Sequence, residues 1–323
     1  MATGKYSDVK IYEAEFYGGM NEAVAQNVNV FNGASNGAIR LVSVPMKGHY
    51  EKTSFWKDVS GLVSRRDITS VAAAADLAMT QDEQIAVKLN RKIGPVGQTL
   101  DTWRKLGLNA SEMSYQFGKL VGDRVTQEWV NLSISAASAA IGAVAALVHT
   151  ISANGTITHG ELIKGNAKLG DASGRIRAYV MHSKPFFDLL GQAMTDKIIN
   201  VADMVIFQGN VATFGKPVIV TDVPGLKVTG TPDLYHTLAL VEDAIVVNES
   251  EQREILSDVV LGTENIIMRA QGEYAYSLKL KGVKWDVTNG GVNPLDAAVT
   301  TGSNWDKVVT DNKDMLGIKV ISG

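Results

Sequence analysis

The chain has 323 residues, 45% of them hydrophobic and 20% charged, with a formal net charge of -3 and no cysteine. That size allows two domains, or one large body with excursions, around a substantial core. The near-neutral charge argues against a broad nucleic-acid grip, which needs clustered Lys and Arg to displace counterions; the missing cysteines exclude disulfides, thiolate metal sites and cysteine nucleophiles.

The opening "MATGKYSDVKIYEAEF" has no apolar stretch of signal-peptide length. Residues 1–37 read as an arm, with a helix around Tyr12 to Val28 and a turn-rich end, "NGASNG". The next segment, from Ala38 to Ser70, is extended and mostly polar, with aromatics at Tyr50, Phe55 and Trp56. Strands with so little apolar alternation close a core poorly, so they predict a long hairpin lying on something else, such as a neighbouring subunit. Val71 to Leu100 is transitional. Asn109 and Glu112 have the spacing of a capping box. Beyond them Met113, Phe117, Leu120, Val121, Val125, Trp129, Leu132, Ala136, Ala140, Ile141, Val144 and Leu147 recur at helical spacing without a proline. The pattern predicts a helix from Ser111 to Val148, about 55 Å long at 1.5 Å per residue.

Its second half, "LSISAASAAIGAVAALV" (Leu132 to Val148), is short for a membrane span and is diluted by serines. It reads instead as the small-residue half of a buried helix that other backbones approach closely. The chain is expected to be soluble and made in the cytoplasm. An α/β pattern follows: a helix near Gly160 to Leu169, an alternating strand (Ile176, Ala178, Val180 and His182 against Arg175, Arg177, Tyr179 and Met181), and a helix from Pro185 to Ile198. Short strands are expected at Met204–Gln208 and Pro217–Thr221. Long strand-rich segments run through "YHTLALVEDAIVV" and "ENIIMRAQGEYAYSLKLKGVKWDV", and "GIKVIS" closes the chain.

His182 and Ser183 stand at a strand-to-helix corner, but Met181 and Pro185 replace the glycines of a nucleophile elbow. His182 shares a strand face with Ile176, Ala178 and Val180, which predicts a partly buried, hydrogen-bonded imidazole. Ser183 is placed to cap the following helix, with Pro185 in its first turn. The histidines (His49, His149, His159, His182, His236) are scattered, without metal-ligand spacing; "HGE" at 159–161 is a lone match. "GNVATFGKP" (Gly209 to Pro217) has five residues between its glycines and a proline where a P-loop needs a hydroxyl. The N-x-S/T matches at Asn109, Asn131, Asn154 and Asn248 carry no weight without a secretory signal. The expectation is therefore no catalytic residues, no cofactor and no metal, and a protein whose surfaces serve assembly.

The order of parts resembles the major capsid protein of tailed bacteriophages, the Hong Kong 97-like fold. "RIRAYVMHSKPFFDLLGQ" is similar to that family's strand, Met-His-Ser and helix, and "GGVNPLDAAVTTGSNWDKVVTDNKDMLGIKVI" to the Asn-Pro…Asn-Trp-Asp-Lys ending of one branch. The resemblance implies an α+β fold with an N-terminal arm (1–37), an extended loop or E-loop lying over an adjacent subunit (38–97) and a peripheral domain with a long spine helix (98–148). An axial domain meeting around five-fold and six-fold axes (149–278) and a return to the peripheral domain (279–323), with Trp285 and Trp305, complete it. It implies self-assembly into pentamers and hexamers of an icosahedral head shell, in a virion assembled in the bacterial host cytoplasm. The chain starts almost directly with the arm, without the built-in scaffold extension of some relatives, so a separate scaffolding protein is expected. A portal, a decoration protein and packaged double-stranded DNA without sequence-specific contacts are the other partners implied. An encapsulin-like nanocompartment shell, which shares the fold, and an α/β hydrolase-type enzyme using His182 or Ser183 are the alternatives.

Overall fold

The computed structural model describes residues 7–57, 59, 61–73, 75–99, 110–196, 198–201, 204–207, 215–260, 264–265 and 267–323. The chain opens with α1 (Ser7–Ala34), then β1 (Ile39–Ser43), β2 (Tyr50–Trp56) and the long β3 (Gln81–Thr99). The 33-residue α2 (Ala110–Gly142) precedes β4 (Val148–Thr150), α3 (His159–Asn166), β5 (Ile176–Met181) and α4 (Ser183–Asp196). Strands β6 (Ile198–Val201), β7 (Met204–Phe207), β8 (Val218–Val220), β9 (Lys227–Val228), β10 (Leu234–Val241), β11 (Ile245–Val260) and β12 (Ile267–Leu280) follow. The chain closes through β13 (Val283–Trp285), α5 (Val287–Gly290), α6 (Asp296–Val299), β14 (Trp305–Lys307) and β15 (Gly317–Ser322).

Two sheets carry the architecture. The first runs β1-β11-β12-β3-β2, and the second β4-β15-β10-β5-β8 with β9 added beside β10. One face of the first sheet buries Ile39, Leu41, Val87, Leu89, Val247 and Leu278. Against it lies α2, which supplies Trp129, Val125 and Val121 to the same core. The small β13–β14 ladder sets Trp285 against Trp305 edge to face at 5.0 Å, and each indole N–H donates to a backbone carbonyl at 2.9 Å.

The arm is not loose. Phe16, Met20, Ala23 and Val24 of α1 are buried, and α1 docks along α2 through glycines. A Cβ at Gly19 or Gly118 would collide with the carbonyl oxygen of Tyr115 or Phe16, and one at Gly122 would lie 2.8 Å from that of Met20. The missing side chains let the two backbones touch, as small-residue helix contacts do.

The second half of α2 is buried all round, as its composition predicts. Ser133, Ile134, Ala136, Ala137, Ser138, Ala140 and Ile141 are nearly inaccessible. A Cβ at Gly225 would lie 2.6 Å from the Ser135 Cα, and one at Gly302 would lie 2.7 Å from the Ala139 carbonyl oxygen, so two turns press directly on the helix. The helix ends at Gly142, not at Val148. Val144 is extended, a single 3-10 turn spans Ala145–Leu147, and Val148 to Thr150 pair in parallel with Lys319 to Ile321. Lys319 occupies the space a side chain at residue 142 would need, and its Nζ donates to the Ser138 carbonyl at 3.3 Å. Sheet pairing and a lysine at the last turn thus displace the final helical turns the periodicity suggested.

Two further expectations meet a different arrangement. β5 does not alternate: Ala178, Tyr179, Val180 and Met181 are all buried, because β5 lies between β10 and β8 with both faces covered. The transitional segment holds most of β3, which pairs with β12 over most of its length. β11 and β12, within 149–278, join β3 in the first sheet; β15, within 279–323, lies between β4 and β10 in the second. β15 is buried on both faces and so requires an interior position. Asn109 of the expected capping box and Gly209 to Phe214 of the glycine-rich segment lie outside the described residues.

Candidate assembly surfaces

The extended hairpin is β2 paired antiparallel with β3, Tyr50 opposite Val87 through Trp56 opposite Gln81. Its base is fixed from within the chain. Asp82 pairs with Lys57 at 2.8 Å and with Lys284 at 3.3 Å, and the Lys57 hydrogen bond holds the Asp82 carboxyl below the usual range. Gln84 donates through Nε2 to the Leu280 carbonyl at 2.6 Å. Beyond that base, cover ends. Leu62, Val63, Ile68 and Val71 are 71%, 94%, 85% and 103% exposed, and Leu77 and Met79 are more than half exposed. Covering one such side chain is worth about 1.5–3 kcal/mol, and nothing among the described residues collects it. Arg65 and Arg66 stand among them, exposed, and make no ion pair among the described residues.

The opposite condition holds where α2 meets the first sheet. Glu128 accepts from the hydroxyls of Tyr276 (2.8 Å) and Tyr274 (3.2 Å) and pairs with Arg91 Nε at 2.9 Å; Arg91 also reaches Asp296 at 2.5 Å. Burial raises the Glu128 carboxyl above its ordinary value while Arg91 pulls the other way. Trp129, the next residue, packs on Tyr274 and Tyr276 with ring centroids 6.3 and 6.1 Å away. A polar and aromatic seam therefore locks the long helix to the sheet. Sequence marked Trp129 only as an apolar helix position and singled out none of its polar partners, because the seam draws on α2, β3, β12 and α6 with no shared motif.

The His182-Ser183 corner is a helix cap. Lys184 N donates to His182 Nδ1 at 3.3 Å, and Ser183 N donates to Asp222 Oδ1 at 3.0 Å. That backbone bond depresses the Asp222 carboxyl. Ser183 Oγ and Asp222 Oδ1 each lie 3.3 Å from the same imidazole nitrogen, Nδ1. A relay needs the hydroxyl on one ring nitrogen and the carboxylate on the other. The imidazole is 16% exposed and packs against Tyr235, as a partly buried, hydrogen-bonded ring was expected to. The capping groups, however, are His182 and Asp222, whereas Ser183 is the first helical residue. Asp222 lies just past β8, far from the corner in sequence, so no local spacing signals it.

The other histidines are not brought together. His49 is exposed in the loop before β2, and its carbonyl accepts from Lys88 N. His149 Nε2 pairs with Glu161 of α3 at 2.5 Å, and His159 opens α3. His236 lies buried under α2, Nδ1 3.1 Å from Ser138 Oγ and 3.2 Å from the Gly225 carbonyl, which as an acceptor puts the proton on Nδ1. Burial, with Lys319 nearby, pushes His236 down to about 4, and burial pushes Lys319 down to about 8. Among the described residues no group of three His, Asp or Glu is placed to hold a metal ion, and no helix is long and apolar enough to cross a membrane. Gly215 makes a positive-φ turn, and the Pro217 carbonyl accepts from Tyr179 N as the chain enters β8.

Solved structures similar to this chain include the acidic stable capsid of Helicobacter pylori bacteriophage KHP30, at 11% identity and a TM-score of 0.48, covering 90% of this chain and 89% of that one. The cyanophage Pam1 capsid is 12% identical with a TM-score of 0.49 and 88% coverage of both chains. The capsid of Ralstonia phage GP4 is 12% identical with a TM-score of 0.48, covering 89% and 87%. No curated protein matches the chain. The sequence model of the major capsid protein 13-like (Gp13-like) family matches residues 8–319, nearly the whole length. With the α+β architecture of arm, extended hairpin, long helix and two sheets in place, the chain belongs to the major capsid protein 13-like family, structural proteins of the phage head shell.

Proposed function

We propose that this subunit joins its shell through the β2–β3 hairpin, which lies over an adjacent copy, while the two sheets form the peripheral and axial parts. The carrying observation is the exposed apolar tip on a hairpin whose base is rigidly anchored. In this reading α1, α2 and the β1-β11-β12-β3-β2 sheet form the peripheral part. The β4-β15-β10-β5-β8 sheet with α3 and α4 forms the axial part that gathers around five-fold and six-fold axes. The pairing of β11 and β12 with β3, and of β15 with β4 and β10, supports that grouping of the strands. The role is structural, without a catalysed reaction; the capping geometry at His182 supports this.

The partners beyond the subunit itself are those of the family resemblance: a separate scaffolding protein, a portal, a decoration protein and packaged double-stranded DNA. The net charge of -3 supports tolerance of DNA rather than a grip on it. Assembly takes place in the cytoplasm of the bacterial host, and the product is the virion shell. Electron microscopy of the purified protein, co-expressed with its genomic neighbours, tests this directly. Closed shells that package DNA support the reading; particles holding only a protein cargo would move it to a nanocompartment, and small monodisperse species would end it.

A further inference from the structure

β1 is the edge of the first sheet: it pairs with β11 on one side and, among the described residues, with no strand on the other. The Ala38 carbonyl accepts from Ile245 N across that pairing. Arg40 and Val42 therefore turn their backbone groups to β11, while Ile39, Leu41 and Ser43 turn theirs outward. An outward row of this kind is a template for a strand of another chain. Here α1 has taken the template. Asn32 Nδ2 donates to the Leu41 carbonyl at 3.0 Å, and Leu41 N donates to Asn32 Oδ1 at 2.8 Å. Ser35, fully buried just past the helix, sets its hydroxyl 2.8 Å from the Ile39 carbonyl. Further back on α1, the Tyr17 hydroxyl donates to the Ile255 carbonyl at 2.9 Å and accepts from Ile255 N at 2.5 Å. Ile255 lies on β11 beyond the last residue that β1 covers. Asn32 and Tyr17 thus each take both backbone groups of one edge residue, as a facing residue of an antiparallel strand does.

We propose that Asn32, Ser35 and Tyr17 form an edge guard, occupying the outward backbone groups of β1 and β11 so that a second copy cannot add its own β1 there. The excluded pair is β1 against β1, antiparallel and centred on Leu41, whose N–H and C=O would bond those of Leu41 in the second copy. That pairing is self-complementary: Arg40 would face Val42, so no like charges meet across it. The segment "AIRLVSV" (residues 38–44) has one charge, no proline and three β-branched residues, Ile39, Val42 and Val44. Short segments of that composition add readily to an open edge. An asparagine suits the guard because its amide carries donor and acceptor on one planar group, as a peptide unit does. The "NGAS" stretch, a turn signal in the sequence, is in the fold a substitute for a strand. The guard is independent of where the hairpin lands.

A labelled peptide of residues 38–44 stands in for the second copy's strand, with binding to the full-length, unassembled subunit read by fluorescence anisotropy. Asn32→Ala frees both groups of Leu41 and is expected to bind the peptide roughly tenfold or more tightly than the unaltered subunit does. A peptide carrying Leu41→Pro, which lacks the N–H, is expected to lose that gain. Asn32→Asp keeps the shape and the acceptor for Leu41 N and frees only the Leu41 carbonyl, so its affinity should fall between the two. It also keeps the test decisive if the alanine variant does not fold. Asp222→Ala loosens α4, away from this edge, and is expected to bind the peptide no better than the unaltered subunit, which separates a guard from a general loss of stability. A folded Asn32→Asp or Asn32→Ala subunit that gains no affinity, or an equal gain in Asp222→Ala, would overturn the guard.

Discussion

The second sheet and the hairpin tip are built on opposite terms. The strand neighbours of β5, β10 and β15 are supplied within the chain, and most of their side chains are buried on both faces. The tip has no such closure, with Val63 and Val71 almost wholly in water. One region closes the subunit; under the proposed function the other is where a second copy is met. Substitutions should separate the two, moving the melting temperature in the first and particle formation in the second.

The largest effect is expected on the closed side. Trp129→Ala removes the indole wedged against Tyr274 and Tyr276 and should cost about 4 kcal/mol, read by denaturant unfolding of the unassembled subunit. A similar loss in an exposed-tip variant would erase the contrast.

Next in size are two pH limbs from the buried core beneath α2. His236 titrates near 4 in the fold and about 6.5 when unfolded, so the unfolded chain takes the proton first. Stability is present above 6.5 and falls as pH drops towards 4. Lys319 titrates near 8 in the fold against an ordinary value of 10.5, so stability rises as pH climbs from 8 to 10.5. Each limb carries at most about 3.5 kcal/mol, at roughly 1.4 kcal/mol per pH unit of separation. His236→Gln should flatten the acid limb and Lys319→Met the alkaline one, in melting curves taken across pH.

Smaller still, Asp222→Ala removes the acceptor for Ser183 N at the start of α4 and should cost about 1 kcal/mol. Ser183→Ala should cost less, since its hydroxyl is not the cap. The smallest change in subunit stability, within about 0.5 kcal/mol, is expected from Val63→Ser with Ile68→Ser. The same pair should sharply reduce the yield of shells by sedimentation; an unchanged yield would show that the tip is a bystander.

The closed region was the more legible in sequence. Helical spacing located α2, the small residues of its second half announced close neighbours, and "GIKVIS" marked β15 residue for residue. What could not be read depends on partners distant along the chain. β3 runs through Lys88, Asn90, Arg91, Lys92 and Gly94, a sequence with little strand signal, and is held as a strand by β12 nearly two hundred residues away. The end of α2 is set by Lys319 and the capping of α4 by Asp222, neither of which a local pattern can reveal. The hairpin's polarity and exposed aromatics did point outward, because missing core is visible in composition even when the partner is not.

The most direct test of the central claim is a cryo-electron microscopy reconstruction of the assembled protein, resolved well enough to trace residues 57–80. The expected map shows closed icosahedral shells in which the tip of each hairpin lies on a neighbouring copy, with Leu62, Val63, Ile68 and Val71 covered. Shells in which the tip projects freely into solvent, or a protein that remains monomeric under assembly conditions, would contradict the account.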